Sequence, residues 1–283
     1  GAALAVALAR RGRRTLVAMV NARDRLSGML EVPRIGRGNV AVGPGIDAVN
    51  LHPEAALEEF GIMTLRSRLL YRLVFENRLV RPFLSGVPGL GAWAMLGKAT
   101  YHALQTDRHA RPRYDTVILD CPATGHAVAM LALPRTISRI LRAGPLARDA
   151  EERAALLADP ERTVALPVSR LEEMIVNETA ELVARLRADA AMRADAMVVN
   201  CVSPVRFDAE ELDRLDRPGS DPDAAAIADA ARAAVRRADR EDAQRRRLER
   251  LVPLPSVELP LLDAGRIRMQ ELQRLADLLE PLL

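Results

Sequence analysis

Apolar positions along the 283-residue chain follow two rhythms: short unbroken runs, and longer stretches at helical spacing. Thr15-Leu-Val-Ala-Met-Val20 is unbroken, the pattern of a strand buried on both faces of a parallel sheet. Tyr114-Asp-Thr-Val-Ile-Leu-Asp120 and Ala196-Met-Val-Val-Asn200 share that character, and both end on a polar residue. Thr163 to Val168 predicts another strand, Leu251 to Val257 contains a last one, and Asn39 to Val42 and Ala48 to Leu51 predict two short ones. Between them, Ala2 to Arg11 reads as a helix stopped by Gly12, and Leu171 to Leu186 as an amphipathic helix. Asp223 to Glu249 reads as a charged, solvated helix after a loop at Arg217 to Pro222, and Gln270 to Leu283 as a final helix. Strands alternating with helices predict an α/β fold, with a doubly wound, mostly parallel sheet in a single domain over residues 1–283.

Pro53 to Leu104 departs from that alternation. Leu57, Leu65, Leu69, Leu70, Leu73 and Val74 recur at helical spacing among arginines, punctuated by Pro82 and Pro88-Gly89. This predicts a helical subdomain inserted between strands at about residues 53–110. Its Trp93, Met95 and Leu96 have two readings, as core of the subdomain or as a groove for a partner helix.

Composition narrows the class. Hydrophobic residues are 49% and charged residues 28%, too apolar for disorder, and aromatics at 3% leave a core of aliphatic residues. The 41 basic and 38 acidic residues are spread along the whole chain, which argues against a dedicated nucleic-acid binder. Cys121 and Cys201 lie far apart in apolar runs, which predicts buried free thiols, no metal-ligand spacing and a reducing, cytoplasmic setting. No apolar run reaches the roughly 18 residues of a membrane span. The chain opens on Gly1, already inside a helical pattern, which predicts sequence upstream.

Asp120-Cys-Pro-Ala-Thr-Gly-His126 carries the strongest chemical signal. A carboxylate at the end of a buried strand can hold a Mg²⁺ shell, and the turn after it offers N–H groups and a hydroxyl to a phosphate. The plainer alternative is an aspartate that caps a helix. The segment resembles switch II of the anion-transporting ATPase family, which includes arsenical-pump ATPases and the targeting factor for tail-anchored membrane proteins. Weaker likenesses follow in order: Arg10 to Val20, His52-Pro-Glu-Ala-Ala-Leu57, Leu171 to Thr179 and Met197-Val-Val-Asn200.

The resemblance implies a P-loop NTPase fold, ATP and Mg²⁺ as ligands, and coupling of ATP hydrolysis to movement of a helical subdomain that binds a client. Asp120 would be the catalytic, Mg²⁺-associated carboxylate, acting through water. Thr124 and Gly125 would sense the γ-phosphate. Asn200 would hydrogen-bond adenine, Glu172 would approach the nucleotide, and Val252 to Val257, with Pro253, would line the adenine pocket. Asn200 as a turn former, Glu172 as first-turn charge and His126 as a helix-start residue remain alternatives. A homodimer or a heterodimer with a paralogous subunit is implied, with an apolar client helix or membrane protein as a further partner. No cysteine pair matches the zinc clasp of some members.

Two departures set the family pattern against this chain. The family opens on a Gly-rich, lysine-bearing phosphate loop, and the only lysine here is Lys98, within the helical insertion. The switch I aspartate that serves the attacking water is replaced by Asn21, whose amide cannot accept a proton. Asp24, three residues on, would have to fold inward to replace it. A non-catalytic subunit or scaffold is therefore the alternative reading, and a partitioning-type ATPase ranks behind both.

Overall fold

The computed structural model describes residues 1–65, 87–204, 210–211, 222–262 and 267–283. Leu69, Leu70, Leu73, Val74 and Pro82 lie outside the described residues, as does most of the loop read before Pro222. The described chain forms two compact units. One comprises Gly1–Val164 with Arg185–Arg193 and Gly265–Leu283; the other comprises Ala165–Ala184 with Ala194–Ala264.

In the first unit, α1 (Ala2–Arg10) leads through a turn at Gly12 (φ 75°) into β1 (Thr15–Val20). That backbone conformation is open to glycine, which explains why the helix stops there. After α2 (Leu26–Leu30) come β2 (Val40–Gly43) and β3 (Ile46–Leu51), then α3 (Pro53–Leu65) and α4 (Leu90–Leu104). β4 (Thr116–Asp120) is followed by α5 (Thr124–Ile140) and α6 (Pro145–Ala158). The strands lie in the order β2-β3-β1-β4, with β1 parallel to both neighbours and β2 antiparallel at one edge. All six β1 residues are buried, as its uninterrupted apolar run requires. Burying a Leu or Val of this kind contributes about 1.5–3 kcal/mol. β4, by contrast, pairs on one side only among the described residues, and Thr116 to Leu119 are half-exposed.

Between β3 and β4 the described residues carry two helices, α3 and α4. α3 packs on α4, and Trp93, Met95 and Leu96 are buried. They are core, which decides between the two readings above. Lys98 is a brace in the same place: its Nζ donates to Glu59 at 2.7 Å and to the Arg37 carbonyl at 3.1 Å. The closing helix, α9 in chain order (Met269–Leu279), packs against α1. Arg10 pairs with Asp277 and Arg11 with Glu280 across that contact.

The second unit holds a parallel sheet ordered β5-β6-β7, with β5 at Val168–Ser169, β6 at Met197–Val202 and β7 at Ser256–Pro260. Helices α7 (Glu173–Arg185) and α8 (Pro222–Leu251) contribute Val176 and Leu248 to a core with Leu171, Met197, Val199 and Val252. Two strands differ from expectation because of proline. Pro167 confines the predicted Thr163–Val168 strand to two residues, with one isolated bridge at Ala165–Ala194. Pro253 and Pro255 lack donors, so the last strand starts at Ser256 instead of before it.

The mixed, mostly parallel α/β architecture is the one the alternation predicts. Among the described residues, no helix is long and apolar enough to cross a membrane.

Candidate functional site

Both sheets present chemistry at the carboxyl ends of their parallel strands, where open α/β sheets place ligands. In the first unit, the register pairs Met19 with both Asn50 and Asp120, and Val20 with Leu51. Asn21, His52 and Asp120 therefore finish three adjacent strands at one edge.

Asp120 is exposed, and no hydrogen bond or ion pair to a described residue engages its carboxylate. A methyl group built on Gly1 would stand 3.5 Å from its carboxyl carbon, so the start of α1 abuts it. α5 begins at Thr124, with Ala123 before it. His126 and Ala127 donate to the Ala123 carbonyl, and the earlier amides of the turn have no intrahelical acceptor. Gly125 has nothing within 4 Å of where a side chain would start. The positive ends of two helices thus flank one uncommitted carboxylate.

The donor set fits Mg²⁺. That ion keeps most of its waters and takes one or two carboxylates together with phosphate oxygens, so Asp120 alone is a sufficient protein anchor. Among the described residues no group of three or more His, Cys, Asp or Glu side chains gathers as an all-protein metal cage.

The loop after β1 is tightly held. The Asn21 amide donates to the Leu51 carbonyl at 2.7 Å, and the residue adopts φ 45°, a region asparagine tolerates. Buried Asn50 accepts from the Ala22 amide at 3.2 Å and donates to the Ala22 carbonyl at 2.7 Å. Asp24 is committed elsewhere: its carboxylate accepts from Ser27 at 3.0 Å and Ile35 at 2.8 Å. Partial burial opposes its charge, but these amides outweigh that and hold the pKa below the usual carboxylate range. Asp24 is thus a loop anchor and a weak base.

The cysteine expectation is corrected. Cys121 is exposed just past the end of β4, and Cys201 is half-buried at the register irregularity of β6.

In the second unit, Asn200 lies within β6 at a break in register between Val199 and Val202. Cys201 takes φ 61° there, and such a bulge re-aims neighbouring side chains. Glu172 sits just before α7, its carboxylate 2.7 Å from Arg170, and its carbonyl accepts from Val176. A cleft of about 230 Å³ opens beside Glu172 and Cys201, lined also by Arg170, Ser203, Arg237 and Leu261, among others but not by Asn200. Glu241 fixes its lip by accepting from the Ser203 amide at 2.9 Å and hydroxyl at 2.7 Å.

The structure does not bring Pro253 to this group. Pro253 precedes β7, at the amino end of a parallel strand, whereas Leu261 follows β7 and donates its amide to Val202. Sequence reading missed Leu261, Ser203, Glu241 and the arginines of α8, since their proximity depends on where β7 starts. It also missed Asn50 and His52, whose signal was their position at the end of β3.

The family profile described as anion-transporting ATPase matches residues 1–147, just over half of the chain. The chain belongs to the anion-transporting ATPase family. It is similar to ATPase BagA of Mycobacterium tuberculosis, 26% identical over 216 residues that cover 75% of this chain and 63% of that protein. It is similar also to the arsenical pump-driving ATPase of Acidiphilium multivorum, 26% identical over 222 residues, 71% of this chain and 36% of the relative. ATPase GET3 of Kluyveromyces lactis is 28% identical over 100 residues, 34% of this chain and 29% of that protein. The chain thus spans under two thirds of the length of these relatives. Within the family frame, Asp120, Thr124 and Gly125 fall inside the matched region, and Asn200, Glu172 and Pro253 fall beyond it.

Proposed function

We propose that this chain is the nucleotide-binding body of an ATP hydrolase that couples ATP binding and hydrolysis to movement of its helical insertion. The observation that carries the reading is the uncommitted Asp120 carboxylate between the starts of α1 and α5. Asp120 holds Mg²⁺ through water, and Thr124 and Gly125 meet the γ-phosphate. Bound Mg²⁺ supplies charge neutralisation for the phosphates. Asn200 reads adenine through its paired donor and acceptor, with Glu172 near the nucleotide.

A Gly-rich, lysine-bearing loop and its strand precede Gly1 in this reading. Support comes from β4, which among the described residues pairs only with β1 and leaves Thr116 to Leu119 half-exposed, an edge suited to one more parallel strand. Lys98 supplies no substitute, being engaged with Glu59. The protein works in the cytoplasm as a homodimer or with a paralogous subunit, and the insertion receives an apolar client helix or membrane protein.

Asn21 favours a second reading, a non-catalytic subunit that binds ATP without hydrolysing it, because its amide is not a base. One experiment addresses both. Full-length protein, including residues upstream of Gly1, is assayed for Mg²⁺-dependent ATP binding and turnover, with Asp120→Asn as the control. Turnover lost in Asp120→Asn supports the hydrolase. Binding without turnover supports the non-catalytic subunit, and absence of binding defeats both.

A further inference from the structure

The sheet edge carries one polar contact that the family-derived roles leave unused. His52 Nδ1 lies 3.1 Å from Asn21 Oδ1. We propose that His52 is the general base for the attacking water and that Asn21 is its positioning residue; the proposal rests on the hydrolase reading above.

The tautomer follows from the contact. A side-chain amide oxygen only accepts, so Nδ1 must carry the hydrogen and donate it. In the neutral ring Nε2 then holds the lone pair, and no described residue hydrogen-bonds it. An imidazole fixed through Nδ1–H with Nε2 open is the arrangement in which histidine takes protons.

The backbone places the pair deliberately. Val20 and Leu51 are register partners, so Asn21 and His52 emerge side by side from β1 and β3, and the Asn21 amide donates to the Leu51 carbonyl at 2.7 Å. Asp120 ends the strand on the other flank of β1. His52 is therefore on the edge where the γ-phosphate is proposed to lie. The Asn50–Ala22 clasp holds the same loop from behind. His52 caps α3 with its carbonyl, which accepts from Ala56 at 2.9 Å, and this leaves the ring free. The Asn21 substitution then ceases to be a loss of the base. An amide in place of the carboxylate orients a neighbouring base instead of acting as one.

The step balances without another reactant. The water O–H bond breaks and its proton passes to His52 Nε2. The water oxygen bonds to Pγ while the bond from Pγ to the bridging oxygen breaks, its electron pair leaving with ADP. The imidazolium then releases the proton to solvent.

The test compares full-length wild-type protein with His52→Ala and His52→Gln, measuring ATP affinity, ATP turnover and melting temperature. Expected are affinities within about threefold of wild type, unchanged melting of at least one variant, and kcat lowered by about 10²–10⁴-fold. Added imidazole is expected to restore His52→Ala turnover severalfold, which a structural role would not allow. Turnover of either variant within about fivefold of wild type, or no response to imidazole, would overturn the proposal. Wild-type protein that binds ATP without hydrolysing it overturns His52 as base and leaves nucleotide binding intact. Protein that binds no ATP shows that the underlying reading failed first.

Discussion

Asn50 grips Ala22 by both ends of its side-chain amide, accepting from the backbone N–H and donating to the backbone carbonyl. Asn50 is buried in β3 while Ala22 lies just past β1, so this clasp fixes the loop that carries Asn21. Asn50→Ala leaves both backbone groups of Ala22 without their partner and is expected to cost about 1–3 kcal/mol. Urea unfolding measures it. Asn50→Asp is expected to lose more than a simple isostere would, because a carboxylate meets the Ala22 carbonyl as acceptor against acceptor.

Arg153 sits over the Trp93 ring at 4.1 Å, pairs with Asp149 at 2.7 Å and is buried. Truncation to Ala removes the stacking and strands the half-buried Asp149 carboxylate, so a loss of about 3–5 kcal/mol is expected. Arg153→Lys keeps the charge but not the planar stack, and is expected to fall between the two. Gly97→Ala perturbs the same site from the other side, since an added methyl would meet the guanidinium at 2.7 Å. Thermal melts of the three variants check the order.

Asp24 makes the stability of the first unit depend on acid. Its pKa in the folded chain lies below the usual carboxylate value because the Ser27 and Ile35 amides outweigh partial burial. The unfolded chain therefore binds the proton more readily, so the stabilisation is full above the unfolded pKa of about 3.9 and is lost as pH falls through the folded value. The stability gap between wild type and Asp24→Ala is expected to be constant from about pH 6 to 8 and to shrink below about pH 4. A gap that widened in acid would contradict the assignment.

Asp120→Asn is expected to fold as wild type does, since the side chain is exposed and makes no described hydrogen bond. Circular dichroism checks that half of the prediction. In full-length protein it is expected to abolish the Mg²⁺ dependence of nucleotide binding, measured with and without chelator.

Placement of Leu261 rather than Pro253 at the cleft sets a contrast between two conservative changes. Pro253→Ala is expected to leave nucleotide affinity within about twofold of wild type. Asn200→Ala and Leu261→Ala are each expected to weaken it by about 1–2 kcal/mol, or roughly five- to thirtyfold. Titration of full-length protein with a fluorescent ATP analogue checks all three.

What could be read from the residues follows the range of each cause. β1 is legible because six consecutive buried residues leave a continuous apolar run. Asp120 and Thr124-Gly125 are legible because strand, acid and turn are contiguous, so one local segment carries the signal. The last strand was misplaced because apolar character extends from Leu251 through Leu262, and the absence of donors at Pro253 and Pro255 decides where pairing begins. That shift leaves Pro253 at the amino end of a parallel strand.

The alternation of strands and helices, the acid-ended strand at Asp120 and an amide at Asn21, where the resemblance implies a carboxylate, are all present in the residues themselves. These rest on side-chain chemistry and on periods of two to four residues. Chain packing, by contrast, sets His52 against Asn21, Asn50 on Ala22, and backbone amides on Asp24. The first two depend on which strands become neighbours and in what register, and parallel pairing joins residues about thirty positions apart through a crossover that no local pattern encodes; the third depends on how the loop from Asp24 to Ile35 folds back on the carboxylate.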